Sequence, residues 1–219
     1  MGAVAARQEL ALYRGRNNLR FDNRHSGTGR SNTVIGYAMC GSFCTMESSL
    51  QQLALLRERG YDIIPIMSGN LYNTDTRFGP ASYFRERAEQ ICGREILHTI
   101  VDTEPLGPRI SLDALVICPC TGNSLAKIAL GITDTSVTMA AKAHLRCNRP
   151  LVIALASNDA LSANLKNIAT LLARKHVYFV PMAQDDPEVK PNSLVADYSL
   201  VPQTLECALS GLQYQKVFV

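Results

Sequence analysis

From residue 33 to the end, short apolar runs rich in Val and Ile alternate with segments of helical periodicity. The predicted strands are TVIGYAMC (33–40), YDIIPIMS (61–68), LDALVICP (112–119), PLVIALA (150–156) and HVYFVP (176–181), with a short further one at EILHTIV (95–101). Strands that are separated by helices are joined by right-handed crossovers, so neighbouring strands run parallel. The alternation therefore predicts an α/β fold of three layers.

The spacing of apolar residues places the helices between these strands. One predicted helix begins near residue 46. The others cover 79–93, about 123–130, about 135–147, 161–175 and about 202–212. LDALVICP is almost continuously apolar, as expected of a central strand that is covered on both faces, whereas Pro65 indicates an edge or irregular position for the second strand. No repeat or linker divides residues 33–219. We predict one Rossmann-like domain, a mostly parallel sheet with helices on both faces.

The first 32 residues differ from this domain in charge. Six Arg stand against Glu9 and Asp22 in residues 1–30, while the remaining 189 residues carry 16 Lys and Arg and 17 acids. A nearly neutral domain gives no electrostatic reason to expect nucleic-acid binding. Residues 1–32 are predicted to be a basic, disordered N-terminal arm. Neither a secretory signal nor an apolar stretch of about 20 residues is present, which predicts a cytoplasmic protein without membrane contact.

Seven cysteines are spread over the predicted strands and helices. The close pairs Cys40 and Cys44, and Cys118 and Cys120, lack the Cys-x-x-Cys spacing, and no His lies near them at a ligand spacing. We interpret them as reduced thiols in the core or in a pocket wall and predict no metal site.

Small polar residues follow four of the predicted strands. Gly41 and Ser42 come after the first strand, where a turn into a helix N-terminus would suit a phosphate, although Ser42 equally fits a helix cap. Ser68 follows the second strand, and the third and fourth are followed by Thr121, Gly122, Asn123 and Ser124, and by Ser157 and Asn158. The carboxyl ends of parallel strands share one rim of the sheet, where such folds bind ligands. The four ends together predict a pocket for a phosphorylated, largely uncharged ring.

Catalytic patterns are less evident. The chain shows no Ser-His-Asp set, carboxylate pair, P-loop or G-x-G-x-x-G fingerprint, and His98 and His144 have no obvious partner in the sequence. No catalytic residue is predicted.

Residues 113–143, DALVICPCTGNSLAKIALGITDTSVTMAAKA, resemble the signature Pro-x-(Thr/Ser)-(Ala/Gly)-Asn-(Thr/Ser)-(Leu/Ile)-(Ala/Ser)-Lys of the flavin-containing cysteine decarboxylase (flavoprotein) family. The motifs at 75–79 (DTRFG), 104–124, 156–161 (ASNDAL) and 178–196 resemble one branch of that family, found in spore-forming bacteria. Members of the branch are subunits of an enzyme that makes pyridine-2,6-dicarboxylate. The likeness covers residue 33 to the end and leaves residues 1–32 outside.

The resemblance implies FMN at the strand ends, with phosphate and ribityl contacts on Gly41, Ser42 and Ser68. It places the ring contacts on Thr121, Gly122, Asn123 and Ser124. It further implies a homo-oligomer, because a neighbouring subunit completes the family's pockets, and a separate partner subunit that binds NADP or NAD.

The chain departs from the decarboxylases of this family in two segments. Their His-Ile-x-Leu segment, which bears a catalytic histidine, is replaced by EPLGPRI (104–110), and their Pro-x-Met-Asn segment by ALASND (154–159). We therefore expect no decarboxylation of peptidyl cysteine. A different substrate rim is predicted, and Arg would suit a dicarboxylate there; the candidates are Arg77, Glu104, Arg109, Ser157 and Asn158.

Three functions remain open on the sequence. The chain is an oxidoreductase subunit that oxidises a dihydro- or tetrahydropyridine dicarboxylate during sporulation, a non-catalytic partner that docks or stabilises a dehydrogenase subunit, or an FMN-dependent decarboxylase-like enzyme that acts on another small acid.

Overall fold

The computed structural model describes residues 33–219, so the predicted arm at 1–32 lies outside the described residues. Four parallel strands form the centre of its sheet: β1 (Val34–Met39), β2 (Asp62–Met67), β3 (Ala114–Thr121) and β4 (Leu151–Ser157). They lie in the order β2-β1-β3-β4. Three short strands extend the sheet beyond β4, namely β5 (Val177–Phe179), β6 (Met182–Ala183) and β7 (Leu194–Ala196). β5 pairs with β4 in parallel, whereas β7 pairs antiparallel with both β4 and β6.

Helices connect these strands. In chain order they are α1 (Met46–Glu58), α2 (Gly69–Asn73), α3 (Ala81–Cys92), α4 (Ile100–Thr103), α5 (Gly122–Leu130), α6 (Ser136–Leu145), α7 (Leu165–Leu172) and α8 (Val201–Leu209), and short 3₁₀ turns precede α1 and α8. α1 packs against α3 and α8, while α6 packs against α4 and α5. The predicted Rossmann-like α/β architecture is confirmed. Among residues 33–219, no helix is long and apolar enough to cross a membrane.

The burial of each strand follows its place in the sheet. β4 is buried along its whole length and β3 up to its last residue, because helices cover both faces of these central strands. β2 is the edge strand on its side of the sheet, which confirms the edge position predicted from Pro65. Pro119 does not end β3; the strand continues to Thr121, and its register against β4 shifts between Ile117 and Cys120.

One predicted strand is wrong. In the run 95–101, Leu97 forms a single bridge with Ile66, and the chain then enters α4. The reason is local: the Thr99 side chain accepts from Asp102 N, and the Asp102 carboxylate accepts from Thr99 N, a reciprocal capping box that begins the helix.

Candidate functional site

A cavity of about 600 Å³ opens at the carboxyl ends of β1, β2 and β3. The chain passes from β1 to β2 on one side of β1 and then crosses back to β3 on the other side. This reversal creates a crevice between the loops that follow the strands, and α/β sheets commonly bind ligands at such a point. The topology therefore places the cavity where the sequence predicted a pocket.

The loop after β1 supplies one wall of the cavity through Cys40, Gly41 and Phe43. The Cys40 thiol donates to the Ser124 hydroxyl at 3.1 Å, and burial raises the pKa of this thiol. Ser42 is not among the lining residues; its hydroxyl accepts from the Thr45 hydroxyl at 3.0 Å. Of the two residues predicted for this loop, Gly41 lies at the cavity and Ser42 lies beside it.

The loop after β2 contributes Ser68, Gly69 and Asn70. Ser68 is the N-cap of α2, and its hydroxyl accepts from the Leu71 amide at 3.4 Å. Its backbone amide donates to the carbonyl of Met39 at 3.0 Å, which joins this loop to the end of β1. Ser68 thus lies at the cavity, as predicted, and Asn70 is an additional lining residue.

The end of β3 and the start of α5 form the next wall. Thr121 is the N-cap of α5, and its hydroxyl accepts from the Ser124 amide at 3.3 Å. Asn123, Ser124 and Lys127 also line the cavity. Three of the four residues predicted here are therefore brought together at the cavity.

Gly122, the fourth predicted residue, is buried against the loop after β4 and is not among the lining residues. A Cβ at this position would collide with Ser157 Oγ and would lie 2.6 Å from Asn164 Nδ2. Close packing within the protein therefore explains why this position is a glycine.

The loop after β4 is a structural network. The Ser157 hydroxyl donates to Asp159 Oδ1 at 2.5 Å, and Asn164 Nδ2 donates to both oxygens of that carboxylate at 2.9 and 3.0 Å. These bonds, that from Ser157 first, hold the pKa of Asp159 below its ordinary value. Neither Ser157 nor the exposed Asn158 is among the lining residues, so the structure does not place these two substrate candidates at the cavity.

The charged substrate candidates also lie elsewhere. The Arg77 guanidinium lies 4.9 Å from the centre of the Phe78 ring, Glu104 lies 3.6 Å from Arg146, and Arg109 is exposed. None of the three lines the cavity.

The cavity has a different charged pair. Within residues 33–219, the Lys, Arg, Asp and Glu side chains that line the cavity are those of Lys127 and Asp134. Lys127 Nζ lies 2.8 Å from Asp134 Oδ2. The hydrogen bond from Lys127 lowers the pKa of Asp134. The cavity therefore combines one cationic side chain with its own counter-ion.

Two further helix starts reach the cavity, and the sequence assigned neither to the pocket, although it predicted the second helix at about 135–147. Thr99 and Ile100 belong to the start of α4, and Thr135 and Ser136 to the start of α6. The Ser136 hydroxyl donates to the carbonyl of Met67 at 2.5 Å, which fastens α6 to the end of β2. The capping signals at Thr99 and Thr135 were present in the sequence, but they do not reveal that both helices start at the same cavity.

His98 also lines the cavity, next to the start of α4. Its ring stacks on Tyr72 with the centroids 3.8 Å apart and the planes 4° from parallel. His144 is instead fully buried in α6, where Nε2 lies 2.9 Å from the carbonyl of Pro150 and burial lowers its pKa to about 4. The two histidines that the sequence left without partners thus differ: one faces the cavity and the other belongs to the core.

The cysteines are free thiols, of which Cys40, Cys92, Cys118 and Cys120 are buried. No group of three or more His, Cys, Asp or Glu suited to a metal ion occurs within residues 33–219.

The arrangement favours a neutral or anionic ligand. α2, α4, α5 and α6 all begin at the cavity, and the N-terminus of a helix presents free N–H groups and a positive partial charge. Hydroxyls and the two amide side chains of Asn70 and Asn123 also line the cavity, so hydrogen bonding rather than net charge would orient the ligand.

Comparison with known proteins assigns this geometry to a family. Residues 23–199 match the family model described as Flavoprotein, a region that begins inside the predicted N-terminal arm. The B subunit of dipicolinate synthase from Bacillus subtilis (strain 168) is 44% identical over 185 residues, which cover 84% of this chain and 92% of that protein.

Solved structures agree with the sequence comparison. The crystal structure of the dipicolinate synthase B subunit from Bacillus halodurans C is 43% identical and superposes with a TM-score of 0.80, covering 86% of this chain and 97% of that one. The FMN-dependent cysteine decarboxylase SpaF, 24% identical with a TM-score of 0.61, covers 80% of this chain and 97% of its own and shares the fold. By its matched family model and its similarity over most of its length, this chain belongs to the Flavoprotein family and is a homologue of the dipicolinate synthase B subunit.

Proposed function

We propose that this chain is an FMN-binding subunit of a dipicolinate synthase and works in the cytoplasm during sporulation. In this proposal it helps to form pyridine-2,6-dicarboxylate from a dihydro- or tetrahydrodipicolinate precursor. The observation that carries the proposal is the cavity at the strand ends, bordered by four helix N-termini, in a chain that is 44% identical to the B subunit of dipicolinate synthase.

The residues present fit a flavin mononucleotide. A cavity of about 600 Å³ lies inside the range of about 300–1,000 Å³ that is usual for small-molecule sites. Gly41 and Gly69 offer backbone amides, and Ser68 offers its hydroxyl, which suits a phosphate and a polyhydroxyl chain. Thr121, Asn123 and Ser124 supply the hydrogen-bonding groups that a flat heterocycle requires along its edge.

A bound flavin supplies a two-electron acceptor for the oxidation of the substrate ring. The protein's own residues bind and orient the substrate. Lys127 and the N-terminus of α6 at Thr135 are the groups that we assign to its carboxylates, in place of Arg77, Glu104 and Arg109, which lie outside the cavity. The ion pair with Asp134 holds the Lys127 ammonium in position and limits its attraction for anions that do not fit.

The proposal includes two kinds of partner. One is the separate A subunit of dipicolinate synthase, which would bind NADP or NAD, because this chain has no dinucleotide fingerprint to hold such a cofactor itself. The other is a second copy of this chain. Ile100 lines the cavity and is exposed, as is its neighbour Val101, and a neighbouring subunit that completed the pocket would cover these side chains.

FMN titration tests the cofactor assignment. We expect the isolated chain to quench flavin fluorescence at micromolar FMN. Asn123→Leu should weaken binding, because Asn123 lines the cavity and a leucine offers no hydrogen bond. Asn158→Leu is the matched control, since Asn158 is exposed at the end of β4 and outside the lining. Absence of binding in the unmodified chain at micromolar FMN would contradict the assignment.

Separate assays of this chain, of its nicotinamide-binding partner and of the mixture test the reaction. With a nicotinamide cofactor and freshly prepared precursor, we expect no product from this chain alone and full activity from the mixture. Activity of the partner that is unchanged on mixing would favour a non-catalytic docking or stabilising role for this chain. Product from this chain alone would refute the need for a partner.

A decarboxylase-like activity on another small acid is the second candidate, because an imidazole, that of His98, lies in the cavity although the family's histidine-bearing segment is replaced. Carbon dioxide release from small carboxylic acids tests this candidate. We expect none from a cysteine-terminated peptide.

A further inference from the structure

His98 is held at the cavity by the residues before and after it in the chain. The residue before it, Leu97, donates its amide to Pro65 O and accepts from Met67 N, both at 3.0 Å, so it is tied to the edge strand β2. The residue after it, Thr99, closes the capping box that begins α4. Since both neighbours are fixed by backbone hydrogen bonds, the Cα of His98 has a defined position on the cavity wall.

The plane of the imidazole is fixed as well. Its ring lies parallel to the Tyr72 ring at 3.8 Å. The Arg85 guanidinium lies 4.7 Å from the centre of the Tyr72 ring and donates to the Tyr72 carbonyl at 2.6 Å. Tyr72 is thereby held in place, and the stacked pair limits rotation of the imidazole about χ2.

The surroundings of the ring determine which nitrogen is basic. His98 Nδ1 lies 3.5 Å from the carbonyl oxygen of Ile96 and 4.0 Å from Asp102 Oδ2. Both neighbours are acceptors, which favours the neutral tautomer with its proton on Nδ1 and the lone pair on Nε2. The side chain is 36% exposed, which leaves it accessible to a ligand in the cavity.

The other titratable groups of the lining are less suited to exchange a proton near neutral pH. The Cys40 thiol has a pKa raised by burial, and the Asp134 carboxylate has a pKa lowered by its hydrogen bond from Lys127. A group that transfers a proton works best when its pKa lies near the working pH, and both shifts move the pKa of these two groups away from neutral pH. The titratable and charged groups around His98 are Asp102 of α4, Tyr72 of α2, Arg85 of α3 and, in the cavity lining, Lys127, Asp134 and Cys40.

We propose that His98 Nε2 takes the proton from the ring of the dicarboxylate substrate, with Asp102 and Tyr72 as positioning residues. Conversion of a dihydropyridine ring to a pyridine removes one proton and one hydride. The proton passes to Nε2, and the hydride, with the electron pair of the broken C–H bond, leaves to the flavin or nicotinamide of the proposed function. The inference rests on that function for the identity of the substrate and on the geometry of the cavity for the identity of the residue.

Two matched variants test the role of His98 in turnover. His98→Asn removes the imidazole from the cavity. His176→Asn makes the same change outside the lining, at a position with φ of 65° that asparagine tolerates. In the reconstituted enzyme, His98→Asn should lower kcat by a factor of about 10² to 10⁴. It should also remove the acid limb of the pH profile, and added imidazole should restore part of the rate. His176→Asn should change neither the rate nor the profile.

A measurement that needs no turnover separates this inference from the proposed function. The ring proton resonances of the chain's four histidines can be followed by NMR against pH, and that of His98 is identified by its loss in His98→Asn. Addition of pyridine-2,6-dicarboxylate, with and without FMN, should raise the pKa of His98, because nearby negative charge favours the imidazolium. The resonances of His144 and His176 should not respond.

The outcomes are distinct. If FMN does not bind but the dicarboxylate raises the pKa of His98, the flavin assignment is wrong, whereas the assignment of His98 to the substrate is supported. A His98 resonance that does not respond to the dicarboxylate overturns the inference. Where His98→Asn does not fold, the His98 resonance is the one that remains after variants of the other three histidines have identified theirs. An unchanged kcat in a folded His98→Asn enzyme also overturns the inference. A loss of FMN affinity as large as the loss of kcat overturns it too, because His98 would then be a flavin-binding residue.

Discussion

Replacement of Gly122 by alanine would add a methyl group where α5 meets the loop after β4. The new Cβ would lie 2.6 Å from Asn164 Nδ2 and 2.9 Å from Asp159 Oδ1, and would collide with Ser157 Oγ. These atoms are not free to move away, because Ser157 and Asn164 are the donors to the Asp159 carboxylate. Either the helix shifts or a donor leaves the carboxylate.

Both responses lower the stability of the folded chain. Overpacking of this kind costs about 1–3 kcal/mol, and a lost hydrogen bond to a charged group costs about 1.5–3 kcal/mol. Because the loop relaxes by one route and not both, the costs do not add. The better helix propensity of alanine recovers at most about 1 kcal/mol, and less at the first helical position. We expect a net loss of about 2 kcal/mol, a change of about 30-fold in the unfolding equilibrium.

Gly69→Ala is the matched control. Gly69 is the first residue of α2 as Gly122 is of α5. Apart from its chain neighbours and the backbone of its own helix, no atom lies within 4 Å of the position that the new methyl group would take. Urea unfolding without ligand measures both variants. With an m-value of about 2 kcal/mol per M, the Gly122→Ala midpoint should fall by about 1 M while that of Gly69→Ala barely moves. Equal midpoints would refute the close packing of Gly122.

Two further predictions concern buried groups. Burial lowers the pKa of His144 from 6.5 to about 4, so between these pH values the unfolded chain binds the proton and the folded chain does not. Stability should therefore fall as the pH drops through this window, by about 2 kcal/mol at about pH 5; urea unfolding of His144→Gln should lose this dependence, and an unchanged pH slope would contradict it. The Cys44 thiol is exposed, whereas those of Cys118 and Cys120 are buried with raised pKa values. Iodoacetamide should label Cys44 in the folded chain and the other two only after unfolding, as peptide mass spectrometry can show.

The sequence was sufficient to predict β1 to β5 because each of these strands is a distinct apolar run between turn residues, but it did not predict the short antiparallel pairings of β6 and β7. It also located much of the cavity, since topology alone brings the carboxyl ends of parallel strands together. It did not predict which neighbour in a loop faces the ligand. Gly41 lies at the cavity while the next residue, Ser42, bonds to Thr45, and the direction of a loop side chain depends on tertiary contacts that a local pattern does not contain.

The charged substrate candidates lie away from the cavity for a related reason. Arg77 and Arg109 are suitable in chemistry for a dicarboxylate, but they and Glu104 lie outside the cavity lining. The cation that does line it, Lys127, was part of the family signature and sits one turn along α5 from Asn123, where a helical periodicity argument would have placed it on the same side. His98 was missed because its position depends on the bridge between Leu97 and Ile66, a contact across about 30 residues.

The cavity is fastened to the sheet at several points, and this determines which variants can test function. Cys40 N donates to Pro119 O and Ser68 N to Met39 O, both at 3.0 Å, while Ser136 Oγ donates to Met67 O. Only the bond from Ser136 uses a side chain, so replacement of Ser136 would disturb the folded rim and ligand binding together. Asn123 and His98 instead reach the cavity with side chains that are not anchors of the strand ends, so their replacement should change binding or proton transfer while leaving the unfolding midpoint in place.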